Sequence, residues 1–173
     1  NGNNGTFNHF ALNGSTSNFI TPGGVTSGTS CSAVVAPEIN VKGNMVSIPD
    51  GNTTTSPTDH TDFGNVTVNT TLVRTFTIEN TGNNPLTITN ISSNNPLFTV
   101  GSLSPASPIV ANGTATFTVT FAPTATGVQN ATITISNNDC DEAMYDFAVK
   151  ATGECDATAS IANTNNPICS GNN

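Results

Sequence analysis

Between residues 114 and 121 apolar and polar side chains alternate without a break. Ala115, Phe117, Val119 and Phe121 fall on one side, and Thr114, Thr116, Thr118 and Thr120 on the other. A period of two is that of a half-buried strand, because successive side chains point to opposite faces of a sheet. The same period recurs in Ala131, Ile133 and Ile135, and again in Tyr145, Phe147, Val149 and Ala151. These runs predict strands over 115–121, 131–135 and 144–151. Further strands are predicted over 37–41, 63–68, 72–79, 86–91 and 98–100. Turn-forming clusters separate them, among them Asn80-Thr81-Gly82-Asn83, Asn94-Asn95-Pro96, Asn112-Gly113 and Asn137-Asn138-Asp139. No stretch of useful length carries a helical apolar pattern.

Seven to eight short strands, each apolar on one face, bury those faces most simply as two antiparallel sheets packed together. The pattern places this sandwich at 36–153, long enough to hold a core without metal or disulfide support. Residues 1–35 are rich in Gly, Asn and Thr. Their apolar stretches, 7–12 and 18–20, flank Asn13-Gly14-Ser15, the signal of a hairpin or of the end of a preceding domain. Residues 154–173 read as a linker into a following repeat.

Composition narrows the function. Asn, Thr and Ser make up 71 of 173 residues, and eleven acids face three Lys and Arg, for a net charge of −8. Three bases cannot neutralise a phosphate backbone, so nucleic acid is excluded as a partner, and anionic membrane surfaces are disfavoured for the same reason. No apolar run approaches the roughly 18 residues of a spanning helix, so membrane insertion is not expected. Scarce Lys with abundant Thr and Asn suggests secretion.

Several segments carry a family resemblance: Pro37-Glu38-Ile39-Asn40-Val41, Asp62-Phe63-Gly64-Asn65-Val66, Arg74-Thr75-Phe76-Thr77-Ile78-Glu79-Asn80-Thr81-Gly82 and Pro85-Leu86-Thr87-Ile88. With Phe117-Thr118-Val119-Thr120-Phe121-Ala122-Pro123 and Ile135-Ser136-Asn137-Asn138-Asp139, they resemble the choice-of-anchor D repeats. These repeats are similar to immunoglobulin-like domains of the ASH, hydin and major-sperm-protein type. Asn166-Pro167-Ile168-Cys169-Ser170-Gly171-Asn172 resembles the start of repeats in large bacterial surface adhesins, many of them exported by type IX secretion. The resemblance covers 36–153. It implies an all-β, immunoglobulin-like antiparallel sandwich at the bacterial cell surface, a structural or adhesive repeat without catalysis. The segment between Val41 and Asp62 is longer than in the plainest members.

The residues themselves offer little for catalysis. His9 and His60 stand far apart in sequence, neither with a partner at metal-ligand spacing, and no nucleophile motif or phosphate loop occurs. The acids hold more. Asp139, Asp141 and Glu142 cluster in the last hairpin turn, and Asp50, Asp59 and Asp62 lie in or beside the long loop. In an immunoglobulin-like sandwich the first strand starts at the end where the last hairpin turns, so the two groups are candidates to meet around calcium, which takes oxygens from flexible loops. Otherwise they are exposed turn formers. No other cofactor is indicated.

Cys31, Cys140, Cys155 and Cys169 allow three pairings. Their places along such a sandwich favour Cys31–Cys140 and Cys155–Cys169, with unpaired thiols the alternative. Eight Asn-x-Ser/Thr sequons occur, a number that so much Asn and Thr produces by chance. Expected partners are neighbouring repeats of the same chain, copies of itself, to which residues 6–12 would add a strand, or surface glycans. The competing reading is a carbohydrate-binding accessory module of a secreted enzyme. Trp is absent and Tyr145 is the single Tyr, which leaves little for an aromatic sugar platform.

Overall fold

The computed structural model describes residues 35–155, together with the backbone of residues 20–21 and 24–25. The chain divides into two compact units, Asn1–Ser32 and Ala33–Asn173. In the first, β1 (Ile20–Thr21) pairs antiparallel with β2 (Gly24–Val25), Ile20 opposite Val25. The hairpin predicted around Asn13-Gly14-Ser15 lies outside the described residues except for Ile20, as do His9, Cys31 and Cys169.

The second unit is a β-sandwich. Its strands are β3 (Ile39–Gly43), β4 (Val46–Ile48), β5 (Asp62–Thr67), β6 (Leu72–Asn80), β7 (Ile88–Ser93), β8 (Phe98–Val100), β9 (Thr114–Phe121), β10 (Gly127–Asn137) and β11 (Met144–Glu154). One sheet runs β5-β11-β10-β7 and the other β4-β3-β6-β9-β8. The architecture is immunoglobulin-like and all-β. Among the described residues it holds nine strands rather than seven to eight, and one pairing, β5 with β11, is parallel rather than antiparallel.

The added strand is β4. It follows β3 through the two-residue turn Asn44-Met45, both with positive φ (49° and 66°), the backbone of a type I′ hairpin. That turn normally announces itself with Gly. Here Met45, 92% exposed, stands in its place, and the sequence signal is lost.

Alternation decides what is buried. Ala115, Phe117, Val119 and Phe121 of β9 are buried, and the Thr between them face outward. Across sheets, Phe76 lies 5.3 Å from Phe147 between ring centroids, and Phe63 meets Phe98 edge-on at 5.6 Å. Aromatic pairs at these separations add to the gain from burial alone. On the outer face of the five-stranded sheet, Thr75 sits opposite Thr118 and Thr77 opposite Thr116. Such cross-strand pairs stabilise the strand without adding charge.

Asn80 ends β6 with only 1% of its surface exposed. Its Oδ1 accepts from the N–H groups of Glu38 and Gly82, and its Nδ2 donates to the carbonyls of Asn84, Ile109 and Val110. A buried amide is tolerated only when bonded in this way. It joins the start of β3, the turn after β6 and the segment before β9.

The long loop, 49–61, is anchored rather than free. The Gly51 N–H donates to the Asp146 carbonyl, the Ala148 N–H to the Asn52 carbonyl and the Lys150 N–H to the Thr61 carbonyl. It thereby runs along the β11 edge before β5 takes over. Its buried Asp59 accepts from the Thr61 hydroxyl at 2.6 Å.

Candidate functional site

β3 begins beside the loop that joins β10 to β11. The Ile39 N–H donates to Asp139 Oδ2 at 2.9 Å, a bond spanning 100 residues of chain. This bond fixes a carboxylate that is 1% exposed, and its second oxygen, Oδ1, is buried without a donor at hydrogen-bonding geometry among the described residues. Asn137 Oδ1 shapes the loop by accepting the Asp139 N–H at 2.7 Å, and its Nδ2 donates to the Glu142 carbonyl at 2.8 Å.

Around Asp139 stand Glu38, exposed at the start of β3, and Glu142, half-buried in the loop. One carboxylate oxygen from each of the three lies within 4.8 Å of the others. Burial raises the pKa of Glu38, and the charges of Asp139 and Asp141 raise it further. Burial likewise raises Asp139, with Asp141 adding to the effect. For Glu142 burial is joined by repulsion from Asp50, Asp139, Glu38 and Asp141. Under this group the Tyr145 hydroxyl donates to the Ile48 carbonyl, and burial, with the charges of Glu142 and Asp50, pushes its pKa up to about 12.

The six acids singled out from sequence therefore separate. Asp139, Asp141 and Glu142 come together, and Asp50 lies near enough to act on Glu142 while its Oδ1 accepts the Asp146 N–H at 2.8 Å. Asp59 and Asp62 are committed elsewhere. The Asp59 backbone packs on Gly43, at the far end of β3, with its side chain on Thr61. Asp62 pairs with Lys150 at 2.7 Å, six residues along β11 from Met144. Glu38 was not singled out. Its signal was available, since it precedes the first sandwich strand, which the topology sets beside the last hairpin.

His60, in the long loop, has its pKa lowered by burial first and by Arg74 second. Cys140 lies in the β10–β11 loop and Cys155 just beyond β11, at opposite ends of that strand. Neither is a free thiol.

A family profile described as "Protein of unknown function (DUF1573)" matches residues 54–153. No curated protein matches the chain. Among solved structures it is similar to a protein of unknown function from Porphyromonas gingivalis W83, at 18% identity and a TM-score of 0.52. That match covers 70% of this chain and 49% of the other, so this chain spans about half of that relative's length. It is also similar to the ASH/PapD-like domain 7 of human CEP192, at 15% identity and a TM-score of 0.46, covering 82% of this chain and 97% of that one.

Proposed function

The chain belongs to the DUF1573 family, whose profile spans 100 of its 173 residues, and from that premise we propose that it is a non-catalytic building block of a larger extracellular protein, a structural or adhesive repeat at a bacterial surface. One observation carries the reading. The chain enters the sandwich at Ile39, beside Asp139, and leaves at Glu154, at the other end of the eleven-residue β11. At about 3.4 Å per residue those points stand on the order of 35 Å apart, along the length of the sheets. Such a unit joins its neighbours end to end.

Its surface suits that role. The Thr rows on the outer face of the five-stranded sheet, Thr75 and Thr77 against Thr118 and Thr116, are uncharged and β-prone. We propose neighbouring repeats of the same chain, or copies of it, as partners, and export by a type IX route, in keeping with the resemblance of residues 166–172 to repeats of large bacterial surface adhesins. In that oxidising setting the proposed pairings are Cys31–Cys140 and Cys155–Cys169. Non-reducing peptide mapping checks them, and any other pairing refutes them.

The competing sugar-binding module needs an exposed aromatic platform. Every described aromatic side chain, Phe63, Phe76, Phe98, Phe117, Phe121, Tyr145 and Phe147, is buried in the core. A glycan array probed with the full chain separates the two readings. The building-block reading expects no retained sugar, and specific retention by one glycan class, with Kd below about 1 mM, would replace it with the module.

A further inference from the structure

We propose that Glu38, Asp139, Asp141 and Glu142 form a calcium site that clamps the start of β3 to the β10–β11 loop. This inference is independent of the building-block reading.

Geometry comes first. Calcium binds oxygen at about 2.3–2.6 Å, so its ligand oxygens lie at most about 5 Å from one another. One oxygen each of Glu38, Asp139 and Glu142 already meets that condition, within 4.8 Å. Asp141 stands beside Asp139, one carboxylate oxygen of each within 4.8 Å of the other.

A second observation is independent of the clustering. Asp139 is 1% exposed, and while Ile39 holds Oδ2, Oδ1 is buried and meets no hydrogen-bond donor at bonding geometry among the described residues. A buried carboxylate oxygen left unbonded carries a full desolvation cost. A cation among the three carboxylates removes that cost. The Ile39 bond holds the Asp139 carboxylate in place before any ion arrives.

Among the described residues no Lys or Arg is paired with these carboxylates. The chain has three Lys and Arg in all. Lys42 is bound to Glu79 at 2.8 Å, Lys150 to Asp62 at 2.7 Å, and Arg74 sits within β6 beside His60. The donor set is all carboxylate. Hard oxygens on a loop and a strand start favour calcium over zinc, which seeks imidazole or thiolate, and Cys140 is not a free thiol. Glu38 and Glu142 are at least partly solvent-accessible, so an ion can reach them.

Bound calcium couples the point where the chain enters the sandwich to a loop 100 residues later in sequence. The site thus stiffens one end of the unit.

The experiment uses the full 173-residue chain, stripped of metal, with calcium chloride as the probe. Calorimetric titration is expected to show one calcium per chain. Thermal melting is expected to show a Tm rise of roughly 5–10 °C at a hundredfold excess over Kd, relative to chelator. Glu38→Gln and Glu142→Gln, tested singly, are expected to weaken calcium binding tenfold or more without lowering the Tm in chelator. Glu79→Gln, outside the cluster, is expected to keep the full response. No calcium-dependent heat or Tm shift at millimolar calcium would overturn the proposal. So would an equal shift from sodium chloride at matched ionic strength, or a response undiminished in both cluster variants.

Discussion

The body of the sandwich and its loop end treat the same kind of residue in opposite ways. On the strands, Glu79 accepts from Lys42 and Asn40, and Asp62 from Lys150 and the Gly64 N–H. Both carboxyls are held below their ordinary values. At the loop end Glu38, Asp139 and Glu142 face one another with no Lys or Arg between them, and all three are raised. With three bases in the chain, two are taken by strand faces. The body thus balances its carboxylates with bases of its own, and the loop end does not.

The largest expected effect breaks the body alone. Phe76 is fully buried and touches Phe117 in its own sheet and Phe147 in the facing one. Phe76→Ala should cost about 3–5 kcal/mol by urea denaturation, while calcium still raises the Tm of whatever folds. A loss well under 1 kcal/mol would mean that the two sheets are not held by this contact.

Asn80→Ala should cost about 1–3 kcal/mol on the same assay, because it strands buried N–H and carbonyl groups. A cost inside the error of the assay would show that water replaces those bonds.

Titrating stability in chelator sharpens the contrast through its sign. For Glu79 the Lys42 hydrogen bond is the main cause of the lowering, and for Asp62 the bonds to Lys150 and Gly64 outweigh burial. Their contribution is present above the ordinary values of 4.5 and 3.8 and is lost as pH falls through the lowered ones. The raised acids work in reverse. Their contribution is complete below the ordinary 4.5 of Glu38 and Glu142 and 3.8 of Asp139, and is lost as pH rises through the raised values. Urea midpoints should therefore pass through a maximum in mild acid, with the decline above it reduced in Glu38→Gln. A midpoint that climbs steadily to neutral pH would contradict the assignment.

Lys42→Met should have the smallest effect, under about 1 kcal/mol and less in high salt, because the Lys42–Glu79 pair is partly solvent-exposed. A larger loss would place that pair among the structural bonds.

How much of this was legible follows from period and topology. Strict alternation in 114–121 named the buried face of β9 residue by residue, because burial and propensity agree there. β4 escaped because Met45 occupies a left-handed turn position where Gly is the usual signal. The parallel β5–β11 pairing carries no local signature, since nothing in Asp62–Thr67 states its neighbour's direction. At the acidic end, Asp139 and Glu142 were visible as a cluster in sequence. Glu38 joins them only through the long-range bond from Ile39, and Asp59 and Asp62 were drawn away by local partners, Thr61 and Lys150, that composition does not reveal.

On the proposed reading, residues Ile39 to Glu154 act as one mechanical unit strung between opposite ends. Pulling the full chain by its termini, with disulfides reduced, tests it most directly. One cooperative rupture should release roughly 40 nm of chain, the extended length of that segment less its folded span. Smooth lengthening, or a series of small steps with no such rupture, would contradict it.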